Sequence, residues 1–174
     1  MVVRLAPGPR LWSRSGAKET PLRPLLQDID IPPSWLMLHI GAAWLMSLIS
    51  PSLFGSWGAA VGKVLVLGGG ALMLAAVAQM VLARTTVIPR RDPSALVTGG
   101  VFGWSRNPIY LGDAILLTGA ILWLDAVLAL PLVAIFMALI QKRFIRDEET
   151  RLTLAFGAAF DLWASRTRRW FGRK

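Results

Sequence analysis

Two acidic residues, Glu148 and Glu149, stand side by side in Phe144-Ile-Arg-Asp-Glu-Glu-Thr-Arg-Leu-Thr-Leu-Ala-Phe-Gly157. Read as a helix, this segment places Ile145, Leu152 and Phe156 on one apolar stripe by their i, i+7, i+11 spacing. Glu149 falls inside the stripe and Glu148 on its edge. Asp147 lies opposite, where Arg143 and Arg151 can pair with it at i±4. Carboxylates turned toward an apolar core are costly and need a partner or a task. Spacing leaves two readings open: neutralisation by Arg106 or Lys142, or acceptance of hydrogen bonds from a ligand.

A second segment, Ser94-Ala-Leu-Val-Thr-Gly-Gly-Val-Phe-Gly-Trp-Ser-Arg-Asn-Pro-Ile-Tyr-Leu-Gly112, supplies the complementary charge. Asn107 and Pro108 read as an N-cap and first-turn proline opening a helix. A helix start has free N–H groups and the positive end of the dipole, which suits an anion. Arg106 beside it adds a bidentate donor fork. It would serve equally well as an anchor on lipid phosphates. Glycines at 99, 100 and 103 allow sharp turns or close approach to a ligand. Asp113, one turn into the helix, is a further suspect unless it balances Arg106 or Arg91. His39 reads as an interhelical hydrogen-bonding residue. With no Cys and one His, thiol nucleophiles, disulfides, and zinc and haem sites are all disfavoured.

The elements that must position these residues are membrane helices. The chain of 174 residues is 55% hydrophobic and 17% charged, yet has 19 Lys+Arg against 10 Asp+Glu. A soluble domain is about a quarter charged. The net +9 charge does not imply nucleic acid, because the apolar runs leave too little hydrophilic fold to carry a basic face. Apolar runs place spans at about 34–50, 64–83, 109–124 and 126–141. The run Ile109–Ile140 would make about 48 Å of helix against a hydrocarbon core of about 30 Å, so it folds back at Asp125 into a tight hairpin. Pro131 is a candidate kink in the second arm. Gly68-Gly-Gly70 would allow close helix contact.

Basic residues gather in the N-terminal segment (Arg4, Arg10, Arg14, Lys18, Arg23), in the 84–108 loop, and from Lys142 onward. The 51–60 loop and the Asp125 turn have none. The positive-inside rule then puts both termini and the 84–108 loop in the cytoplasm, in the plasma or inner membrane if the source is bacterial. The expected architecture is an all-α integral membrane protein with four transmembrane helices. A basic segment, 1–33, would precede a single domain, 34–174. Cytoplasmic helices over 142–172 would follow the last span, with Phe160–Phe171 an amphipathic helix lying in the interface.

Leu96-Val-Thr-Gly-Gly-Val-Phe, Ser105-Arg-Asn-Pro-Ile-Tyr-Leu-Gly112, Glu148-Glu149 and the Arg168-Arg-Trp170 tail together resemble the isoprenylcysteine carboxyl methyltransferase family and its phospholipid methyltransferase-like bacterial relatives. The resemblance covers roughly Thr85 to Trp170. It implies a membrane enzyme that transfers methyl from S-adenosylmethionine, with a cofactor pocket facing the cytoplasm and opening laterally to lipid. By the same resemblance Ser94, Ala95, Leu96, Val97, Phe102, Asn107, Pro108, Ile109, Tyr110 and Glu148 fall where the family contacts its cofactor. A family basic residue that contacts substrate precedes the acidic pair. Phe144 holds that position here, leaving Arg143 or Arg146 to serve.

Arg106 and Glu149 are the expected catalytic residues, Glu149 as a base if the acceptor is an amine. Ser94 and Asn107 stand where prenylcysteine enzymes usually have His, and Phe160 and Trp163 where Tyr is frequent. Arg-Asn-Pro is nearer the phospholipid type. The expected acceptor is therefore a lipophilic or membrane-associated small molecule, a lipid or an isoprenoid, with membrane lipids as partners and no metal or nucleic acid. The alternatives are a non-enzymatic carrier or scaffold, and a diverged member that binds cofactor without turnover.

Overall fold

The structure, a computed structural model, describes residues 2–4, 30–86 and 93–174. Arg10, Arg14, Lys18, Arg23, Arg90 and Arg91 lie outside the described residues, as does most of the 1–33 segment.

The first helix, α1, runs Pro32–Ser47 and opens on two prolines, which need no N–H partner in the first turn. Helix α2, Gly55–Leu82, has 28 residues and starts well before the expected Val64. The early start has a cause. The Asp125 carboxylate accepts from the amides of Leu53, Phe54 and Gly55 (3.1, 2.7 and 3.3 Å) and from the Ser52 hydroxyl. A cap carried by a residue so distant in sequence turns residues 55–60 of the expected 51–60 loop into helix.

Helix α3 spans Pro108–Trp123, as the Asn-Pro signal predicts. Asp125 then reverses the chain with φ +52, a conformation that Asp tolerates better than most residues. A 3₁₀ turn, Val127–Ala129, leads into α4, Pro131–Ile140. Pro131 therefore opens this helix instead of kinking its interior.

The expected break at residue 141 is absent. A π-helical turn, Gln141–Ile145, carries α4 directly into α5, Arg146–Phe156. Val127–Phe156 is accordingly one 30-residue rod. This rod and α2 are long and apolar enough to cross a membrane. At 16 residues each, α1 and α3 are about 24 Å long, short of the roughly 30 Å core.

Large apolar side chains on α2 point away from the protein, with Leu67 74% and Leu82 80% exposed. A helix buried in a soluble core would hide such residues, so these suit lipid contact.

Helices α2 and α3 meet along small residues. A Cβ built on Gly62 would stand 2.5 Å from the Gly119 carbonyl oxygen, and one on Gly69 would stand 2.6 Å from that of Gly112. Of the 68–70 glycine run only Gly69 lies in the seam, because Gly68 and Gly70 have nothing within 4 Å. Around this pair, Leu36, Leu117, Ile121, Phe136 and Ile140 form one buried cluster. His39 bonds within its own helix, to the Trp35 carbonyl at 2.7 Å, and meets Phe136 edge-on at 5.3 Å. Its predicted interhelical hydrogen bond is replaced by that aromatic contact.

A second cluster gathers around the 96–102 segment, and joins Ala76, Leu96, Val97, Phe102, Phe160 and Trp163. Here the all-helical expectation gains a small exception: β1, Val2–Arg4, pairs antiparallel with β2, Ala95–Val97. After Gly157, whose φ is +49, helix α6 covers Ala158–Arg166. The amphipathic interfacial helix expected through Phe171 does not form. Phe160 and Trp163 are buried, and the Trp163 indole donates to the Phe102 carbonyl at 3.0 Å. Residues 167–174 turn back as a strap, bridged between Thr167 and Arg173.

Candidate active site

A cavity of about 370 Å³ lies between α2, the 93–102 segment, the start of α3, and α5. The sequence dictates how each wall is built. On α2, Met73, Val77 and Met80 recur at helical spacing and give an apolar wall. The β2 strand brings Ala95, Leu96 and Val97 alongside, and the 3₁₀ turn Gly100–Gly103 delivers Phe102. Gly100 has φ +59 and lies against Gln79, where a Cβ would fall 2.5 Å from the amide. Only glycine suits that place.

Asn107, Pro108, Ile109 and Tyr110 line the cavity from the first turn of α3, and Glu148, Arg151 and Leu152 from α5. Tyr110 Oη donates to Glu148 Oε1 at 2.7 Å, tying the two motifs together across the site. Of the predicted cofactor residues, Ser94 alone is not in the lining. Its hydroxyl donates outward to the Arg84 carbonyl at 2.7 Å.

The loop before α3 is held by the strap. Arg106 N donates to the Arg168 carbonyl at 3.0 Å and Gly172 N to the Trp104 carbonyl at 2.8 Å. Asn107 sits at the N-cap position, yet its side chain makes no cap. Its Nδ2 donates to the Arg169 carbonyl at 3.0 Å, and Ser105 Oγ reaches the same oxygen at 3.2 Å. The start of α3 thus keeps its amides free of any side-chain cap.

Charge in the site is unevenly paired. Arg106 lines the cavity with its side chain only 12% exposed, and its Nη2 lies 3.1 Å from Glu149 Oε1. Burial pulls the Arg106 guanidinium below its ordinary pKa, Glu149 opposes that, and Arg169 adds to it. Its Nε is buried with no hydrogen-bond partner, and the same holds for Nη1 of Arg151. Buried donors of this kind are costly unless something accepts from them.

Glu149 does not line the cavity. The Arg169 guanidinium grips it in a fork, Nε at 3.0 Å to both oxygens and Nη2 at 2.7 Å to Oε2. The hydrogen bonds to Glu149 hold Arg169 above its ordinary pKa. Arg143 and Arg146 are also elsewhere. Arg143 Nε donates to Asp30 Oδ1 at 2.6 Å and its guanidinium lies 5.3 Å over the Trp35 ring, while Arg146 borders a surface hollow with Glu149 and Arg169. Asp147 therefore lacks the predicted partners, since Arg143 turns to Asp30 and Arg151 turns into the cavity. Among the described residues no three His, Cys, Asp or Glu side chains gather as a metal site.

Arg151, Thr85 with Thr86, the prolines Pro32, Pro33 and Pro93, and the α2 wall line the cavity without having been singled out by sequence. Arg151 had a readable signal, since it follows Glu148 by three positions and so shares its helix face.

A family model described as phospholipid methyltransferase matches residues 57–159. The match takes in α2 through α5 with both motifs, and the chain belongs to this family. Membership makes it a membrane methyltransferase. No curated protein and no solved structure matches the chain.

Proposed function

We propose that this chain transfers methyl groups from S-adenosylmethionine to a lipophilic or membrane-dissolved acceptor, using the cavity between α2, α3 and α5. The observation that carries the reading is the pair of unpartnered buried guanidinium nitrogens, on Arg106 and Arg151, in one cavity with Glu148. A cofactor bearing a carboxylate at one end and ribose hydroxyls and an amine elsewhere matches that donor and acceptor set. The volume of about 370 Å³ falls within the range of small-molecule sites, roughly 300–1,000 Å³.

When bound, S-adenosylmethionine supplies an electrophilic methyl group on a sulfonium. The chain's own residues do the rest. Arg106 and Arg151 take the anionic group, aided by the amides opening α3. Tyr110 orients Glu148, which accepts from the cofactor's hydroxyl or amine hydrogens. Phe102, Leu96, Val97 and Met80 exclude water, and methyl transfer needs little more than alignment and a dry site. Glu149, bound to Arg106 and Arg169, acts as a positioning residue that aims Arg106.

This reading includes four spans, with α1 and α3 crossing beside the two longer helices and the cavity opening on the cytoplasmic face. Basic residues on the strap and α5 support that orientation. Its domains would be the basic 1–33 segment and the membrane unit 34–174.

Calorimetry of the detergent-solubilised protein with S-adenosylhomocysteine tests the site. Arg106→Ala and Arg151→Ala are each expected to weaken binding by about tenfold or more, the effect of one lost charged hydrogen bond. Unchanged affinity in both would remove the assignment.

A further inference from the structure

Asp113 is the acidic group that the proposed reaction does not yet use. It sits on α3 one turn deeper than the Arg106–Tyr110 end, and it lines the same cavity as Met73 and Val77. The residue is 2% exposed. Among the described residues nothing pairs with its carboxylate, by hydrogen bond or by ion pair. An anion surrounded by apolar side chains is expensive unless a cation meets it. The cations of the lining, Arg106 and Arg151, stand toward the α3 start and α5, and Arg106 is engaged by Glu149.

No cation among the described residues meets it, so a cationic ligand would supply the missing charge. We propose that Asp113 is the counter-ion for a cationic centre entering the cavity: the sulfonium of the methyl donor, or the ammonium of an amine-bearing acceptor. The cavity would then have two charged ends, guanidinium groups for an anion and Asp113 for a cation. This inference rests on the methyltransferase reading of the site.

Calorimetry with charged and neutral ligand pairs separates the sources. Sinefungin has an ammonium at the reacting centre, where S-adenosylhomocysteine has a neutral thioether. Dodecylamine and dodecanol, titrated into protein saturated with S-adenosylhomocysteine, make the corresponding acceptor pair.

If the donor's charge is recognised, Asp113→Asn weakens sinefungin about tenfold and S-adenosylhomocysteine less than about twofold, while Asp113→Glu retains the preference. If the acceptor's charge is recognised, the loss falls on dodecylammonium and spares dodecanol. Equal effects within both pairs, or none, would overturn the inference. Should Asp113→Asn not fold, the wild-type protein decides: tighter binding of at least one cationic ligand than of its neutral counterpart supports the role, and equal affinities in both pairs overturn it. Wild-type protein that binds neither sinefungin nor S-adenosylhomocysteine would sink the site reading itself, and this inference with it.

Discussion

At the scale of single residues, the acidic side chains divide the labour, and each does so through the partner that it meets. Glu148 faces the cavity and Tyr110, Glu149 faces two arginines, and Asp125 holds the amides of a helix start. The last of these has a consequence for stability. Hydrogen bonds from Ser52 first, then from the Phe54, Leu53 and Gly55 amides, lower the Asp125 pKa from 3.8 to about 2. A carboxyl depressed in the folded state contributes stability that is present above its unfolded pKa and lost as pH falls through the folded one. Thermal unfolding in detergent should therefore show Asp125→Asn melting below wild type at pH 7. The two melting curves should converge between about pH 4 and pH 2, the window set by that shift. A gap that persists at pH 2 would show that charge is not what Asp125 contributes.

The motifs themselves were legible at this scale: Ala95–Val97, Phe102, Asn107–Tyr110 and Glu148, grouped by the family resemblance, line one cavity together with Arg106. The stripe pattern puts Glu149 inside the apolar face and Glu148 on its edge, yet Glu148 is the one that lines the cavity. They differ by one position, about 100° around the helix, and only the partners on the strap and α3 decide which faces the cavity. Arg143 and Arg146 were reached through the family offset, but Asp30 and the surface hollow hold them instead.

At the scale of elements, the α2–α3 seam shows why glycine position matters more than glycine number. Gly62 and Gly69 face Gly119 and Gly112 one heptad apart, so the two helices touch backbone to backbone over two turns each. Gly62→Ala should destabilise by about 1–3 kcal/mol, the cost of forcing a methyl into a filled contact. Gly68→Ala meets nothing and should be neutral or stabilising by up to about 1 kcal/mol, because helical glycine is intrinsically unfavourable. Melting temperatures of the two variants in one detergent check this, and equal effects would deny the seam its role.

Helix existence was readable from apolar runs, but helix ends were not. The start of α2 depends on Asp125, and the end of α4 vanishes into a π turn that no local signal marks. In the tail, Phe160 and Trp163 have the pattern of a membrane-surface helix. In the fold that same apolar face is spent on Val97 and Phe102.

At the scale of the molecule, the chain combines an apolar helical bundle with a loop-side layer that lines the site. Its lack of cysteine allows the proposed topology to be measured directly, since single introduced thiols have no background. Ser56→Cys, exposed at the α2 start, should react with a membrane-impermeant maleimide only from the non-cytoplasmic side. Ser165→Cys, exposed on α6, should react only from the cytoplasmic side. Labelling of both from one side would refute four spans with this orientation. The layered arrangement also explains what sequence could not supply here. Burial of the loop-side layer depends on β1 and α6 meeting around β2, three pieces far apart in the chain.

The Asp125 cap also puts the assembly on a clock. The amides of Leu53, Phe54 and Gly55 precede their acceptor by 72, 71 and 70 positions. At a synthesis rate of about 5–20 residues per second, α2 waits several seconds with its first turn unsatisfied. Until residue 125 emerges, the upstream helix depends on solvent or headgroups at that end. Its final length is thus fixed late, by the arrival of the α3–α4 turn.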